Sequence, residues 1–568
     1  MSSELPEPRR SSTLVLLREG DRSVEVLMLL RADRGDQNSL RWVFPGGLLD
    51  ATDAHARMHF HGIDDGAASR RLGVADGGLD YWTAALRETL EEAGVLIAVD
   101  ANDLPVDSVA HETVIGAWRR QATELPRGHG GASFAALCAE QRWRLPGMAV
   151  LPLAHWITPL GMPKRFDTRF FLCAAPTDCQ VRIDGVEVTE HRWVSVVDLA
   201  EQRGDVPVRG PTLAVAKDLA RHATVDAALA WARAIPAFEP VRPYLALDAN
   251  HHRSPVPPWH PAWMEVGRID PQGRGLAYSV IRPGIAVELS ADRLVRITAR
   301  NGSLMTGPGT NTYLLRAAAD DWVMIDPGPD DPAHVEALTA ELDRRGARLR
   351  AILVTHTHAD HSPAALALKR ATGAILIGRL ADHLAGQDGS FAPDRVPDDG
   401  ERLDFGGGCR LRAILTPGHA SNHLCWLHEG ERLLFTGDHV MQGSTVVINP
   451  PDGDMAAYLA SLRRVADEAG VSYDAMAPGH GFLIGQPKRA LEALIVHRRR
   501  REAKLRKAMA ASGTATVDEL LPLVYDDVPA ARHAVARRSL LAHLLHLQQQ
   551  GLAIENAQGW THTNGSPR

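Results

Sequence analysis

The sequence predicts a chain of several α/β and α+β domains, for three reasons. Its 568 residues are about twice the length at which a single hydrophobic core stops growing. A run of prolines between Pro236 and Pro283 favours extended, semi-rigid chain between two halves. Each half carries its own cluster of metal-binding side chains close to apolar, strand-like segments. We therefore predict domains over residues 1–235, 291–489 and 490–568, with a linker over residues 236–290.

The composition is that of a globular protein and excludes several other classes. Hydrophobic residues make up 45% of the chain and charged residues 23%, which are ordinary values. No apolar run is long enough to span a membrane, so we expect no membrane partner. The five cysteines form an odd, unpatterned set, which argues against a disulfide framework and for a reducing, cytoplasmic location.

The first cluster lies on a predicted helix in the N-terminal half. Glu88, Glu91 and Glu92 follow one another at i, i+3 and i+4, so they share one helical face. A Gly46-Gly47 turn precedes this helix and Gly94 ends it. Carboxylates grouped in this way suit Mg²⁺, which is usually bound by a few protein oxygens and by substrate phosphates.

This half resembles the Nudix hydrolases, and in particular their coenzyme A diphosphatase-like members with an interrupted motif. The sequence departs from the Nudix pattern at Asp53, which takes the place of the first Glu, at Thr89, and in an insertion over residues 54–81. The resemblance implies an α/β/α sandwich in which Glu88, Glu91 and Glu92 hold Mg²⁺ or Mn²⁺ and Arg87 orients the glutamates. Water would then attack a diphosphate. These departures from the motif are also compatible with a domain that binds a nucleotide without cleaving it.

The second cluster is denser and follows the apolar segment 351–354. The run Thr355-His356-Thr357-His358-Ala359-Asp360-His361 places three imidazoles and a carboxylate within six positions. Further candidate ligands follow at the ends of later apolar segments: His419, Asp438 and His480. Imidazole and carboxylate suit zinc, although the same ligands also accept manganese or iron.

These residues, with Gly307 to Tyr313 and Asp326, resemble the metallo-β-lactamase superfamily. The resemblance implies an αββα sandwich with one zinc on His356, His358 and His419, a second zinc on Asp360, His361 and His480, and Asp438 between the two. Asp326 would brace the ligand loops. Two such cations activate a water molecule and orient the substrate, and Asp360 could also transfer the proton.

The ligand set and the C-terminal tail indicate which branch of the superfamily this chain resembles. Ligation by His and Asp alone resembles the phosphodiesterase and thioesterase branches, because many true β-lactamases carry a Cys among the ligands. The tail predicts helices over residues 490–511, 517–521 and 530–550 and a strand over 552–554. This order is similar to the beta-lactamase-like protein 2 group, zinc enzymes with a C-terminal winged helix, among which endoribonucleases are known.

The basic stretch from His497 to Lys507 has two interpretations. Clustered lysines and arginines neutralise phosphates and could contact nucleic acid. Charge runs on long helices are also commonly a solvated face, and the net charge of the chain is −7. No pattern in the sequence indicates the oligomeric state.

We therefore predict a metal-dependent hydrolase that cleaves a phosphodiester or related ester at a two-zinc site, fused to a Mg²⁺-dependent Nudix-like diphosphatase. Its substrate would be RNA or a nucleotide. One alternative is hydrolysis of the thioester and the diphosphate of an acyl-coenzyme A. Another is a zinc hydrolase regulated by a Nudix module that binds nucleotide without catalysis.

Overall fold

The computed structural model describes residues 7–33, 35, 39–107, 111–124, 129–177 and 179–563. The chain forms two compact units that divide between Tyr244 and Leu245. The division lies inside the segment predicted as a linker. The second unit includes helices and strands from that segment. The bounds predicted for the separate domains stay predictions.

The first unit is an α/β/α sandwich around a seven-stranded sheet with the central order β3-β2-β1-β8-β7, in which β4 also pairs with β1 and β9 with β2. Strands β5 and β6 form a separate two-stranded sheet. Strand β1 buries both of its faces: Leu14 and Leu16 face one helical layer, and Val15 and Leu17 face the other, as expected for a strand covered on both sides. The strands are β1 (Arg9–Glu19), β2 (Val24–Arg31), β3 (Trp42–Val43), β4 (Gly46–Leu48), β5 (Phe60–His61), β6 (Leu145–Pro146), β7 (Leu151–Ile157), β8 (Phe166–Ala174) and β9 (Val188–Ser195).

The helices of the first unit lie on both faces of this sheet. Helix α2, which carries the three glutamates, packs Trp82 against Phe171 of β8 with ring centroids 4.6 Å apart. It ends at Gly94, whose φ of 68° is the left-handed conformation that glycine adopts at helix ends, as the sequence predicted. The helices are α1 (Asp65–Leu72), α2 (Gly78–Ala93), α3 (Glu112–Glu124), α4 (Gly130–Gln141), α5 (Val196–Ala200), α6 (Gly210–Leu219) and α7 (Val225–Ala234), with a 3₁₀ helix at Asp53–His59.

The second unit contains the predicted αββα sandwich, built from two six-stranded sheets, β12 to β17 and β18 to β23. Tyr313 of one sheet packs on Phe435 of the other in the shared core. The strands are β10 (Tyr244–Leu247), β11 (Arg253–Val256), β12 (Ala286–Ser290), β13 (Leu294–Thr298), β14 (Asn311–Arg316), β15 (Asp321–Ile325), β16 (Arg348–Leu353), β17 (Ile375–Ile377), β18 (Arg402–Asp404), β19 (Arg410–Leu415), β20 (Leu424–His428), β21 (Leu433–Gly437), β22 (Ala475–Pro478) and β23 (Ile484–Gly485).

Helices cover the outer faces of both sheets. Helices α9 and α10 pack on the first sheet, and α11 and the start of α12 pack on the second. Within the segment predicted as a linker, β12 pairs with β13, and Glu265 of α8 forms a buried ion pair with Arg296 of β13, 2.8 Å between Oε1 and Nη2. The helices are α8 (Trp263–Ile269), α9 (Pro332–Arg344), α10 (Ala364–Thr372), α11 (Met455–Glu468) and α12 (Pro487–Ser512).

The C-terminal part is a winged helix with its own small core around Leu505, Leu540 and Trp560. It comprises the end of α12, then β24 (Thr514–Ala515), α13 (Val517–Val524), α14 (His533–Gln549), β25 (Ala553–Asn556) and β26 (Gly559–His562). The three helices and β25 were predicted. Strands β24 and β26 were not, and β26 pairs with both β24 and β25.

Two further observations concern the whole described chain. None of the helices in the described ranges is both long and apolar enough to cross a membrane. All five cysteines are free thiols, and four of them are buried.

Burial of His334 on α9 predicts loss of stability in acid. Burial lowers the pKa of His334 to about 4 from 6.5, and its Nε2 lies 2.9 Å from the Thr312 hydroxyl. The unfolded chain therefore binds the proton more tightly, so the stability of the second unit should fall as the pH drops from 6.5 to 4, by up to about 3 kcal/mol. The check is urea unfolding of the metal-free protein at several pH values. The His334→Gln variant should show a flatter dependence, and equal slopes would contradict the assignment.

Candidate functional site

Seven side chains predicted as ligands meet at one end of the sandwich in the second unit. They lie on loops that follow four strands: β16, β19, β21 and β22. Strand ends of a rigid sheet can bring together residues that are far apart in sequence. Three groups of potential ligand atoms form there, each with all its atoms within 4.8 Å of one another: His356, His358 and His419; His356, His361 and Asp438; Asp360, His361 and His480.

The Asp438 carboxylate faces two sides of this cluster. Its Oδ1 lies 3.2 Å from His480 Nε2 and 3.4 Å from His361 Nε2. Its Oδ2 lies 3.8 Å from His419 Nε2. The carboxylate therefore lies between the two ligand sets that the sequence assigned to separate metal ions.

Four of the five histidines have their outward nitrogen fixed by a neighbouring oxygen. Such a partner sets the tautomer and orientation of the ring, which leaves the other nitrogen free to bind a metal. In each case Nδ1 is the fixed atom and Nε2 faces the cluster. The pairs are His356 with Thr355 Oγ1 at 3.0 Å, His361 with Asp326 Oδ2 at 3.0 Å, His419 with the Val447 carbonyl at 2.7 Å and His480 with the Gly309 carbonyl at 3.1 Å.

The donor atoms fit a divalent cation. Among the described residues, His356 Nε2, His361 Nε2 and Asp438 Oδ1 are buried without a hydrogen-bond partner, although these atoms lie in one group within 4.8 Å. Leaving a buried polar atom unpaired costs about 1–3 kcal/mol. His358 differs from the other histidines in presenting Nδ1, which lies 3.0 Å from His419 Nε2. A cation bound by this nitrogen and oxygen set would satisfy these atoms.

The electrostatics of the cluster prepare its side chains for metal binding. Burial and neighbouring imidazoles lower the pKa of His356 well below its usual value, and burial lowers that of His358 to about 3. Both rings are therefore neutral and able to donate a lone pair. Although burial acts in the opposite direction, His480 and His361 hold the pKa of Asp438 well below its usual range. The carboxylate is therefore ionised. Although burial acts in the opposite direction, the neighbouring carboxylates raise the pKa of His361 and that of His480, so these two rings would release their protons on binding a metal ion.

Asp326, which the resemblance assigned to bracing the ligand loops, lies behind the cluster. Its carboxylate accepts hydrogen bonds from the Thr355 backbone N–H at 2.7 Å and the Thr355 hydroxyl at 2.8 Å, in addition to its contact with His361. The residue has a φ of 52°, which is uncommon outside glycine. It therefore joins the start of the ligand loop to one of the ligand rings.

Three contacts at the site were not anticipated from the sequence. The Thr310 hydroxyl donates to Asp360 Oδ2 at 2.8 Å, and its position in the Gly307 to Tyr313 motif was the available signal. The carbonyls of Gly309 and Val447 orient His480 and His419. A backbone carbonyl leaves no mark in the sequence, so these two could not have been found.

The predicted Nudix residues lie on helix α2, close to Gly46 and Gly47, which begin strand β4 and do not form the turn that the sequence predicted. The Glu92 carboxylate accepts from the Gly46 backbone N–H at 3.0 Å. The Glu88 carboxylate occupies the space beside Gly47, where a Cβ atom would lie 2.3 Å from it. Gly47 therefore leaves the space that the Glu88 carboxylate fills, whereas a Cβ atom on Gly46 would meet the backbone of β1 at Ser12.

Arg87 is the centre of this second site. Its buried guanidinium donates to Asp53 Oδ1 at 3.0 Å, to Glu88 Oε1 at 2.8 Å and to Glu91 Oε2 at 3.3 Å. Asp53, which departs from the Nudix pattern, is fully buried and anchors the arginine.

The three glutamates of α2 are brought together only in part. In the described part of the chain, every group of three possible metal ligands within 4.8 Å lies in the second unit. Glu88 and Glu91 share Arg87, whereas Glu92 faces Gly46. Burial raises the pKa of Glu91 to about 7 and that of Glu92 well above its usual value, so nearby positive charge would favour their ionised forms.

Comparison with known proteins agrees with the geometry of the second unit. Residues 305–480 match the family model of the metallo-beta-lactamase superfamily. The beta-lactamase-like protein 2 homolog of Caenorhabditis elegans is 30% identical over 275 residues, which cover 48% of this chain and 88% of that protein. The chain belongs to the metallo-β-lactamase superfamily.

Two other relatives of this metallo-β-lactamase-superfamily protein come from Aspergillus. The lactamase-like protein adaB of Aspergillus niger is 30% identical over 265 residues, which cover 43% of this chain and 76% of that protein. The atrochrysone carboxyl ACP thioesterase of Aspergillus fumigatus is 27% identical over 262 residues, which cover 43% of this chain and 77% of that protein.

The remaining parts of this superfamily member match two further family models. Residues 9–206 match the NUDT19 Nudix domain, and residues 516–560 match the beta-lactamase associated winged helix domain. The predicted combination of a Nudix domain, a metallo-β-lactamase domain and a winged helix is thus confirmed. The chain is a hydrolase, as predicted from its two sets of candidate metal ligands.

Asp326 gives a direct test of the metal centre. Asp326→Asn removes the charge that faces His361 and one acceptor of the Thr355 hydrogen bonds, so the affinity for the metal should fall about 10- to 100-fold. The measurement is metal content after dialysis against graded chelator concentrations. Asp404→Asn, an exposed carboxylate of the same unit, is the control and should retain the metal. Equal retention by the two variants would refute the role of Asp326.

Proposed function

We propose that the metallo-β-lactamase domain is a two-zinc hydrolase that cleaves a thioester. One zinc ion would be held by His356, His358 and His419, and the other by Asp360, His361 and His480. The observation that carries the proposal is the orientation of the Asp438 carboxylate, because one of its oxygens faces each of the two ligand sets.

The chain's own residues supply the other requirements of hydrolysis. Bound zinc ions polarise the carbonyl or phosphoryl oxygen under attack and make water a stronger nucleophile. Asp360 is held by Thr310 and has a side chain 26% exposed, compared with 12% for Asp438. It can therefore meet the substrate, accept a proton from the attacking water and pass it to the leaving group. The leaving group of a thioester would be a thiol.

The choice of a thioester rests on relatives and on the N-terminal unit. One relative bears the name of a carrier-protein thioesterase, so a thioester at a similar metal centre is chemically reasonable. The Nudix unit resembles coenzyme A diphosphatases in its interrupted motif and matches the NUDT19 Nudix domain. Acyl-coenzyme A contains both a thioester and a diphosphate. We therefore propose acyl-coenzyme A as a substrate class for both units.

In the Nudix unit we propose that Glu88, Glu91 and Glu92 hold Mg²⁺ or Mn²⁺ while the substrate diphosphate is cleaved. Arg87, anchored by Asp53, would keep the glutamates oriented when the cation is bound. The alternative that this unit only binds nucleotides is supported by the contact of Arg87 with Glu88 and Glu91, which already compensates their charge. Product analysis separates the two.

The second candidate function of the zinc site is cleavage of a phosphodiester in single-stranded RNA. It is favoured by the likeness to a beta-lactamase-like protein 2 homolog and by the exposed face of α12, where Arg499, Arg500, Arg506 and Lys507 lie in solvent. Such a face can neutralise phosphates.

Substitution of the zinc ligands distinguishes these substrates. His358→Ala and Asp438→Ala should each lower thiol release from acyl-coenzyme A by about two orders of magnitude or more, because each removes a ligand. Thiol release is followed with a chromogenic thiol reagent, with Asp404→Asn as the active control. Single-stranded RNA is assayed in parallel. Metal-dependent cleavage of RNA without thiol release would favour the second candidate, and unchanged turnover by both variants would exclude a role for this centre.

The Nudix activity is tested by its product. With coenzyme A and Mg²⁺, the wild type should release 3′,5′-ADP, and Glu91→Gln should lower that rate by about two orders of magnitude while thiol release from acyl-coenzyme A is kept. Glu140→Gln, an exposed glutamate of the same unit, is the control. Nucleotide binding by calorimetry without any 3′,5′-ADP over hours would instead establish the binding module.

A further inference from the structure

The basic stretch of helix α12 is divided by packing into exposed and buried arginines. The side chains of Arg499 and Arg500 are exposed, whereas Arg498 and Arg501 are buried, at 3% and 8% of their possible exposure. A buried guanidinium needs hydrogen-bond acceptors to offset its lost hydration. Its acceptors therefore show what each buried arginine holds in place.

Arg501 holds the winged helix together. Its guanidinium donates to the Val524 carbonyl at the end of α13 and to the carboxylate of Asp527, and it lies 4.3 Å from the centre of the Tyr525 ring. All three partners belong to the C-terminal domain, so this arginine contacts none of the loops at the metal centre.

Arg498, one helical turn earlier, contacts the metallo-β-lactamase sandwich. Its Nη2 donates to the Val446 carbonyl. The next residue, Val447, accepts the hydrogen bond from His419 Nδ1 at 2.7 Å. The residue after that, Ile448, donates its backbone N–H to the Ser539 hydroxyl of α14 at 3.4 Å. The segment 446–448 is thus held by two helices of the C-terminal part while it orients a candidate zinc ligand.

A second connection runs from Arg498 to the loop of Asp438. The guanidinium lies 5.4 Å from the centre of the Tyr458 ring on α11. The Tyr458 hydroxyl donates to the carbonyl of His439 at 3.1 Å, and His439 directly follows Asp438. The same arginine therefore supports the backbone behind both His419 and Asp438.

We infer that Arg498 is a positioning residue through which the C-terminal helices set the geometry of the first zinc ligand group. It touches none of the ligands itself. It fixes the Val446–Val447 peptide, so that the Val447 carbonyl holds the His419 ring with Nε2 facing His358. Contacts of this kind behind a ligand change metal affinity about 10- to 100-fold. The inference rests on the proposed two-zinc site and adds that the site is completed by helix α12.

A merely structural role for Arg498 predicts a different pattern, and Arg501 is the matched control. Both arginines are buried on the same helix, and each donates to a backbone carbonyl. Loss of either should lower the melting temperature. Only loss of Arg498 should alter the metal centre, because only Arg498 reaches segment 446–448.

The experiment is titration of the metal-free full-length protein with Zn²⁺ in competition with a chromogenic chelator. Arg498→Ala should bind one of the two zinc equivalents about 10- to 100-fold more weakly, and Arg498→Lys should show an intermediate loss because the ammonium is a single point of charge. Arg501→Ala should bind both equivalents as the wild type does. Absorption of the Co²⁺-loaded protein should change in the Arg498 variants and stay unchanged in Arg501→Ala.

The outcomes separate this inference from the proposed function. A wild type that binds no zinc overturns both. A wild type that binds two equivalents, together with an Arg498→Ala variant of unchanged zinc affinity and Co²⁺ spectrum, overturns the inference alone. Equal weakening in Arg501→Ala and Arg498→Ala also overturns it, since it would mean general destabilisation. If Arg498→Ala does not fold, Arg498→Lys decides, and wild-type affinity in that variant overturns the inference.

Discussion

The Asp438 carboxylate is almost enclosed by imidazoles, and its buried negative charge is the constraint on which the sandwich domain depends. Removing a carboxylate from water costs several kcal/mol unless positive charge or donors replace the solvent. His480 and His361 place their Nε2 atoms 3.2 and 3.4 Å from one of its oxygens, and among the described residues the Nε2 atoms of His356 and His361 have no hydrogen-bond partner. A cation on each side would satisfy the carboxylate and the nitrogens together. The loops at this end of the sandwich therefore hold the groups that surround that charge.

Backbone carbonyls supply half of the contacts that fix the rings of the candidate ligands. The Val447 and Gly309 carbonyls fix the rings of His419 and His480, and one carboxylate, Asp326, fixes His361. The position of a backbone carbonyl depends on the packing of the chain segment that contains it. The sheet edges, helix α11 and helix α12 therefore all contribute to the position of ligands that they do not contact. This is why residues far from the cluster can affect its metal affinity.

The two candidate centres compensate charge in different ways. In the Nudix unit, Arg87 supplies a permanent cation to Glu88, Glu91 and Asp53. In the metallo-β-lactamase domain the described residues place no arginine or lysine within ion-pair distance of Asp438, and histidines surround it instead. A site with a built-in cation can keep its shape before a metal ion binds. Imidazoles are not permanent cations, so the buried carboxylate of this site is compensated only while protons or a metal ion occupy the rings around it.

The sequence by itself determined the identity of the candidate ligands and the strand ends and helix that carry them. Apolar segments followed by His356 to His361, His419, Asp438 and His480 place ligands at strand ends, and strand ends of one sandwich meet, so the cluster could be predicted from local pattern alone. The helix with Glu88 and its end at Gly94 followed from spacing and from the conformational freedom of glycine. Each of these inferences uses information within a few residues.

Tertiary structure alone decided how equivalent residues are used. Four consecutive arginines of α12 look alike in sequence, and packing against segment 446–448 and Asp527 determines that Arg498 and Arg501 are buried while their neighbours face solvent. The proline-rich segment predicted as a linker supplies β12 and α8 to the second unit, because Glu265 finds its partner Arg296 across the fold. Backbone carbonyls that orient the ligands carry no side-chain signal. Their roles arise only when distant parts of the chain come together.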